Sequence, residues 1–147
     1  MMHHHLILRV ITKILVGMIM LYAFYVQFHG DYSPGGGFQA GVIMAVAFIL
    51  YGLVFSVENV QRVLPPWIVH KAVALGLLVY AGTGVATLLL GADFLDYNVL
   101  NAHDPEHGQE LGILLVESGV GITVTAVMVS IYYAFVSRTP TISDEEW

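Results

Sequence analysis

The sequence predicts an all-α integral membrane protein of four transmembrane helices with short loops and both termini cytoplasmic. Three observations carry this reading. Hydrophobic residues make up 57% of the 147 and charged residues only 11%, less than half the roughly 25% usual in soluble domains. Four apolar runs, at about residues 6–28, 38–57, 67–90 and 110–135, can each cross a hydrocarbon layer of roughly 30 Å at about 1.5 Å per helical residue. The Lys and Arg residues, five in all, fall on one side of the layer those runs define.

The first run ends in Tyr22, Phe24, Tyr25 and Phe28, where a signal peptide would show a small-residue cleavage site. It therefore reads as a retained helix. His3, His4 and His5 before it could be a tag remnant, a metal tract or a polar flank, and the flank is the plainest reading. Residues 29–41, H-G-D-Y-S-P-G-G-G-F-Q-A-G, then interrupt the apolar sequence. Pro34 fixes its own φ and pushes Ser33 out of the helical region, so no helix should run through. Irregular backbone at or just inside a membrane face must be covered by protein or water, which makes this break a docking or lining element.

The second run carries Gly37, Gly41 and Ala45 at i, i+4 spacing. Small residues on one face let helix backbones approach closely, which matters in lipid, where apolar burial gives no drive between helices. Pro65 and Pro66 close the connection that begins at Glu58. The third run opens on Trp67 and carries Ala72, Gly76, Gly82 and Gly84. Residues 91–108 read as the longest polar loop, with Pro105 arguing against a regular helix there. The fourth run follows, and residues 138–147 form a short polar tail. The whole chain, 1–147, reads as one four-helix domain.

Orientation follows from the cations. Arg9 and Lys13 lie early in the first run, Arg62 and Lys71 around the second-to-third connection, and Arg138 after the fourth. Lys and Arg in short loops are retained in the cytoplasm, so both termini and the 58–71 connection are expected inside, with the 29–37 and 91–110 segments outside.

Several chemistries are set aside on residues. Cysteine is absent, which removes disulfides, thiol nucleophiles and iron–sulfur ligation. Gly35 to Ala40 fits G-x-G-x-x-A but follows an apolar helix and not a strand, so no nucleotide is expected, and no Lys-Ser/Thr follows the glycines to make a phosphate loop. The net charge of -6 is spread over the ends and two loops and suggests no nucleic acid. His103 and His107, with Asp104 and Glu106 between them, are weak metal candidates lacking a third or fourth ligand. No cofactor is expected.

Ionisable groups inside the apolar runs say more, because each costs roughly 2.5–3.5 kcal/mol at a helix centre. Lys13 can snorkel to the cytoplasmic interface. Glu117 cannot reach far; Gly121 and Thr125 continue its face, so it should meet protein or a wet cavity. Glu117, Thr125 and Lys13 are the candidates for an ion path, and for Glu117 a purely structural role, tying two helices together, stays open beside it.

The run G-D-Y-S-P-G-G-G-F-Q-A-G after the first helix and V-E-S-G-V-G-I-T-V in the last closely resembles the MrpB-type subunit of the Mrp-type multisubunit sodium/proton antiporters, over about residues 9–137. Pro34, Gly35, Gly36, Gly37, Phe38 and Gly41 form the core of the motif. Asp31, Tyr32 and Ser33 depart from the small or amide-bearing residues commoner there. The resemblance implies a non-enzymatic subunit in the cytoplasmic membrane of a prokaryote, packed in lipid with large antiporter-like and small membrane subunits of a complex that exchanges protons for sodium or other monovalent cations. The same subunit type in the membrane arm of a hydrogenase or related redox complex is the alternative, and co-purifying chains with nickel, flavin or iron–sulfur sites would distinguish it.

Overall fold

The structure is a computed structural model that describes residues 6–30, 34–101 and 103–138. The His3–His5 run, residues 31–33 and the tail after Arg138 lie outside them. The helices are α1 (Leu6–Phe28), α2 (Gly37–Phe55), α3 (Val57–Val63), α4 (Pro66–Leu89) and α5 (Pro105–Val136), with a 3-10 turn at Tyr97–Leu100. Of these α1, α2, α4 and α5 are long and apolar enough to cross a membrane, in agreement with the four-helix reading.

The helices pack as a row. α5 lies along both α2 and α4, while α1 lies along α2 and meets α5 only slightly. Small residues explain this order. Gly37 and Gly41 turn their faces to α5, where a β-carbon at Gly41 would come within 2.7 Å of the Gly121 carbonyl oxygen, and Ala45 below them is fully buried. The i, i+4 stripe of α2 thus packs within its own chain. On the other side of α5, Gly119 and Gly76 face one another, a β-carbon at Gly119 falling 2.8 Å from the Gly76 carbonyl oxygen.

At the far end of the row Ala45, Val60, Val69, Ala126, Val129 and Tyr133 form the buried core. The connection that begins at Glu58 and is closed by Pro65 and Pro66 holds a helix of its own, α3. Ser56 takes a positive φ of 91° and ends α2, the chain makes a short helix that buries Val60, and Pro65 and Pro66 start α4, where a missing N–H costs nothing. The Tyr133 hydroxyl donates to the Leu64 carbonyl at 2.8 Å, tying α5 to this connection.

The polar loop needs correction. Helix α5 begins at Pro105 and not near Glu110: proline at the first helical position is pre-organised, and Asp104 caps the end by accepting from the His107 backbone N–H at 3.3 Å. At the close of α4, Gly91 takes φ 87° while the Ala92 N–H reaches back to the Thr87 carbonyl at 3.2 Å, a glycine-dependent helix stop. Phe94 then covers Gly84, and buried Thr87 accepts from the Leu95 N–H at 3.0 Å.

Two glycines of α4 should behave oppositely. A β-carbon at Gly82 meets open space, whereas one at Gly76 strikes the Thr123 hydroxyl and the Gly119 carbonyl. Gly82→Ala is expected to be neutral or to stabilise by up to about 1 kcal/mol through helix propensity, and Gly76→Ala to destabilise by about 1–3 kcal/mol through overpacking. Thermal unfolding in mild detergent measures both, and equal shifts would contradict the α4–α5 packing.

Candidate functional site

Glu117 lies on the α5 face that meets the broken end of the α1–α2 hairpin. A β-carbon built on Gly30 would be 2.6 Å from its Oε2, and one on Gly36 would be 2.6 Å from its Oε1. One on Gly37 would collide with the Glu117 backbone carbonyl. The carboxyl group therefore rests on bare backbone from both sides of the break. The tight turn needs glycine again at Gly35, whose φ of 144° strains any residue with a side chain.

This seat is also the N-terminus of α2. Gly36 is the capping residue and offers no side chain, and its carbonyl accepts the first helical bond, from the Ala40 N–H at 3.0 Å. The opening N–H groups of a helix lack intrahelical partners, and the aligned peptide dipoles make the position favourable for negative charge. Glu117 supplies an acidic group there from another helix.

With α5 starting at Pro105, Glu117 is about 18 Å along the helix from its first residue. Gly119 packs near the Tyr80 N–H, and α4 continues from Tyr80 to Leu89 for about 14 Å more. The break in the α1–α2 hairpin thus sits level with the middle of α4, well short of the α4–α5 tip.

The other candidates lie apart. Thr125, on the Glu117 face of α5, donates to the Gly41 carbonyl at 3.1 Å and the Gly121 carbonyl at 2.8 Å, spanning α2 and α5. Lys13 is exposed with its Nζ 5.5 Å from the Phe55 ring centroid, about 25 Å along α1 from Gly30, and is not brought to Glu117. Phe38 points outward while Gly37 and Gly41 point in, and Pro34 is exposed. His107 pairs with Glu110 at 3.4 Å, and His103 sits in the turn before α5. Among the described residues no three His, Asp or Glu side chains are grouped to hold a metal.

Two contributors escaped sequence reasoning. Gly30 precedes the glycine run and gives no periodic signal. Gln27, near the end of α1, places its Oε1 2.6 Å from where a Gly121 β-carbon would be, and its buried Nε2 has no hydrogen-bond partner. A polar amide in an otherwise apolar run is the available clue. Gln27, Ser118 and Thr125 line an apolar cleft of about 350 Å³ on one face of the row.

These features define a polytopic, all-helical membrane protein with a carboxyl group seated on the broken end of a helical hairpin. Comparison supplies the family. Residues 7–130 match the model described as the domain related to the MnhB subunit of Na+/H+ antiporter, and the chain belongs to that family. It is 36% identical over 136 residues to a Staphylococcus haemolyticus protein named antiporter subunit mnhB2, covering 91% of this chain and 96% of the relative. The correspondingly named Staphylococcus aureus (strain Newman) protein is 37% identical over 137 residues, covering 87% and 95%. The resemblance to the MrpB-type subunit of the Mrp-type antiporters is thereby borne out.

The glycine seat makes a graded prediction. Gly37→Ala meets backbone that cannot move independently and should lower stability by about 1–3 kcal/mol. Gly36→Ala meets only the end of the Glu117 side chain and should cost less. Adding Glu117→Ala should relieve Gly36→Ala but not Gly37→Ala, the non-additivity expected of residues in contact. Thermal unfolding of the single and double variants in detergent measures the coupling; additive effects at Gly36 and Glu117 would refute the contact.

Proposed function

We propose that this chain is a non-catalytic membrane subunit of a multisubunit Na+/H+ antiporter, needed for assembly of the complex, and that Glu117 serves a proton or cation path shared with a neighbouring subunit. Family membership supports the first part, and the names of the Staphylococcus relatives point the same way. The observation that carries the second is the seat of Glu117, an acidic group pressed against the N-terminus of α2 at a break in an apolar hairpin. Intramembrane ionisable groups are costly, and ion and proton pathways are the usual reason they are kept. Discontinuous helices whose ends address charged groups serve transporters in the same way. One carboxyl cannot make a complete two-ion route, so large antiporter-like subunits must supply the remainder. Thr125 and Lys13 enter as a packing group and an interfacial cation.

Glu117→Gln keeps size and most hydrogen-bonding capacity but cannot take up and release a proton. In the assembled complex it is expected to reduce sodium/proton exchange by at least about tenfold or to shift its pH dependence, an effect on the scale of general acid–base contributions. Exchange at wild-type rate and pH profile in everted vesicles, with the complex intact, would leave Glu117 as a structural tie.

The proposed orientation, in the cytoplasmic membrane, places both termini and Arg62 inside and Asp31 and Asp96 outside, on the one-sided distribution of Lys and Arg. An impermeant thiol reagent added to sealed cells should label Asp96→Cys and spare Arg62→Cys; the reverse pattern would invert the topology.

A further inference from the structure

Arg9 and Lys13 are one helical turn apart on α1, the edge helix of the row, and both hold their cations over a single ring. The Arg9 Cζ is 5.1 Å and the Lys13 Nζ 5.5 Å from the centroid of Phe55, the last residue of α2. Phe55 is itself stacked on Tyr51, with centroids 4.6 Å apart, so the platform is braced. Like charges at this helical spacing repel, and the face of one aromatic ring offsets only part of that.

Among the described residues neither cation has a carboxylate partner. His107 and Glu110 do form an ion pair, but at the opposite end of the row. Glu58, the acid that follows Phe55 on α3, is otherwise engaged: the Ser56 hydroxyl and its own backbone N–H hold its carboxyl below the usual carboxylate range, and Arg62 is its cationic neighbour. Around the cations α1 exposes large apolar side chains, Ile7, Val10, Ile11, Ile14 and Leu15. Apart from Gly17, a turn beyond Lys13, this surface lacks the small residues that let helices pack closely in lipid.

We propose that Arg9 and Lys13, braced on Phe55, form a headgroup site for an anionic phospholipid, whose phosphate bridges the two cations while its acyl chains lie along the exposed apolar side of α1. A phosphate relieves the repulsion that the ring leaves, and membrane-surface basic groups attract anionic lipid. A lipid suits the large, lipid-like neighbours better than a partner helix does, and the apolar surface next to the charges gives the chains a bed that a free phosphate would not use. Through Phe55 the site would clamp α1 to the end of α2, the helix that holds most of this edge helix in the row.

The test uses the assembled complex, purified in mild detergent, delipidated and titrated with phosphatidylglycerol or phosphatidylcholine, with bound lipid counted by native mass spectrometry. Wild type should retain phosphatidylglycerol in preference. Arg9→Gln with Lys13→Gln should weaken that retention roughly thirty-fold, the effect of two surface charges. Lys71→Gln, which removes a cation 4.9 Å from the Trp67 ring centroid on α4, should leave this retention at wild type. Should the double variant not assemble, Phe55→Leu keeps both charges and loses the platform, with an expected weakening of roughly threefold to tenfold. Unchanged phosphatidylglycerol retention in either variant overturns the proposal. Loss of a neighbouring chain with lipid retention unchanged also overturns it, assigning the cations to an acidic group of another subunit.

Discussion

The architecture depends on the backbone of α2 being able to touch the backbone of α5. In lipid there is no hydrophobic drive to hold helices together, so association rests on close van der Waals fit and on hydrogen bonds between helices. Gly37 against the Glu117 carbonyl and Gly41 against the Gly121 carbonyl provide the first. Thr125, donating across the interface to Gly41, provides the second. With α2 fixed in this way, α1 can only join the row at its outer side, and the equivalent Gly76–Gly119 contact fixes α4 on the other. The apolar core around Tyr133 then closes the opposite end, so the two ends of the row are held by different means.

That division of labour explains why an acidic group can be tolerated at one end. The seat of Glu117 contains no side chain from the glycines that form it, only peptide groups, and peptide groups at a helix N-terminus present donors. A carboxyl group set against such donors has an electrostatic partner in the helix end, which offsets part of the general cost of an ionisable group in lipid.

Much of this is legible in the sequence because lipid simplifies the rules. Composition and run length identify spanning helices, since every backbone polar group must be satisfied within them, and the i, i+4 stripe of Gly37, Gly41 and Ala45 marks a contact face. What stays hidden depends on which faces meet. That the stripe finds α5 of its own chain, and that Gly30 joins Gly36 around one carboxyl, are facts of packing between residues far apart in the chain. The start of α5 is obscured for another reason: Pro105 has the look of a breaker, although Asp104 before it makes it a first-turn residue. Likewise the Pro65–Pro66 pair signals an end without showing that Ser56 has already broken the helix upstream.

The position of the break along the row bears directly on the setting of Glu117. If the hairpin of α1 and α2 reached as high as that of α4 and α5, the seat would lie in the headgroup region, and an acidic group there would need no special account. It stops instead beside the middle of α4, with about 14 Å of that helix still to run. The backbone turn and the carboxyl therefore occupy the same depth, and each supplies what the other lacks: the turn has opening N–H groups without helical partners, and the acid needs donors. Beside it, the glycine contacts bring the α5 backbone directly against the hairpin. The next residue of α5, Ser118, joins Gln27 and Thr125 in lining the apolar cleft, where the Gln27 Nε2 has no hydrogen-bond partner. The acid therefore faces the glycine seat while the residue after it faces the cleft, so one turn of α5 serves two different surfaces of the row.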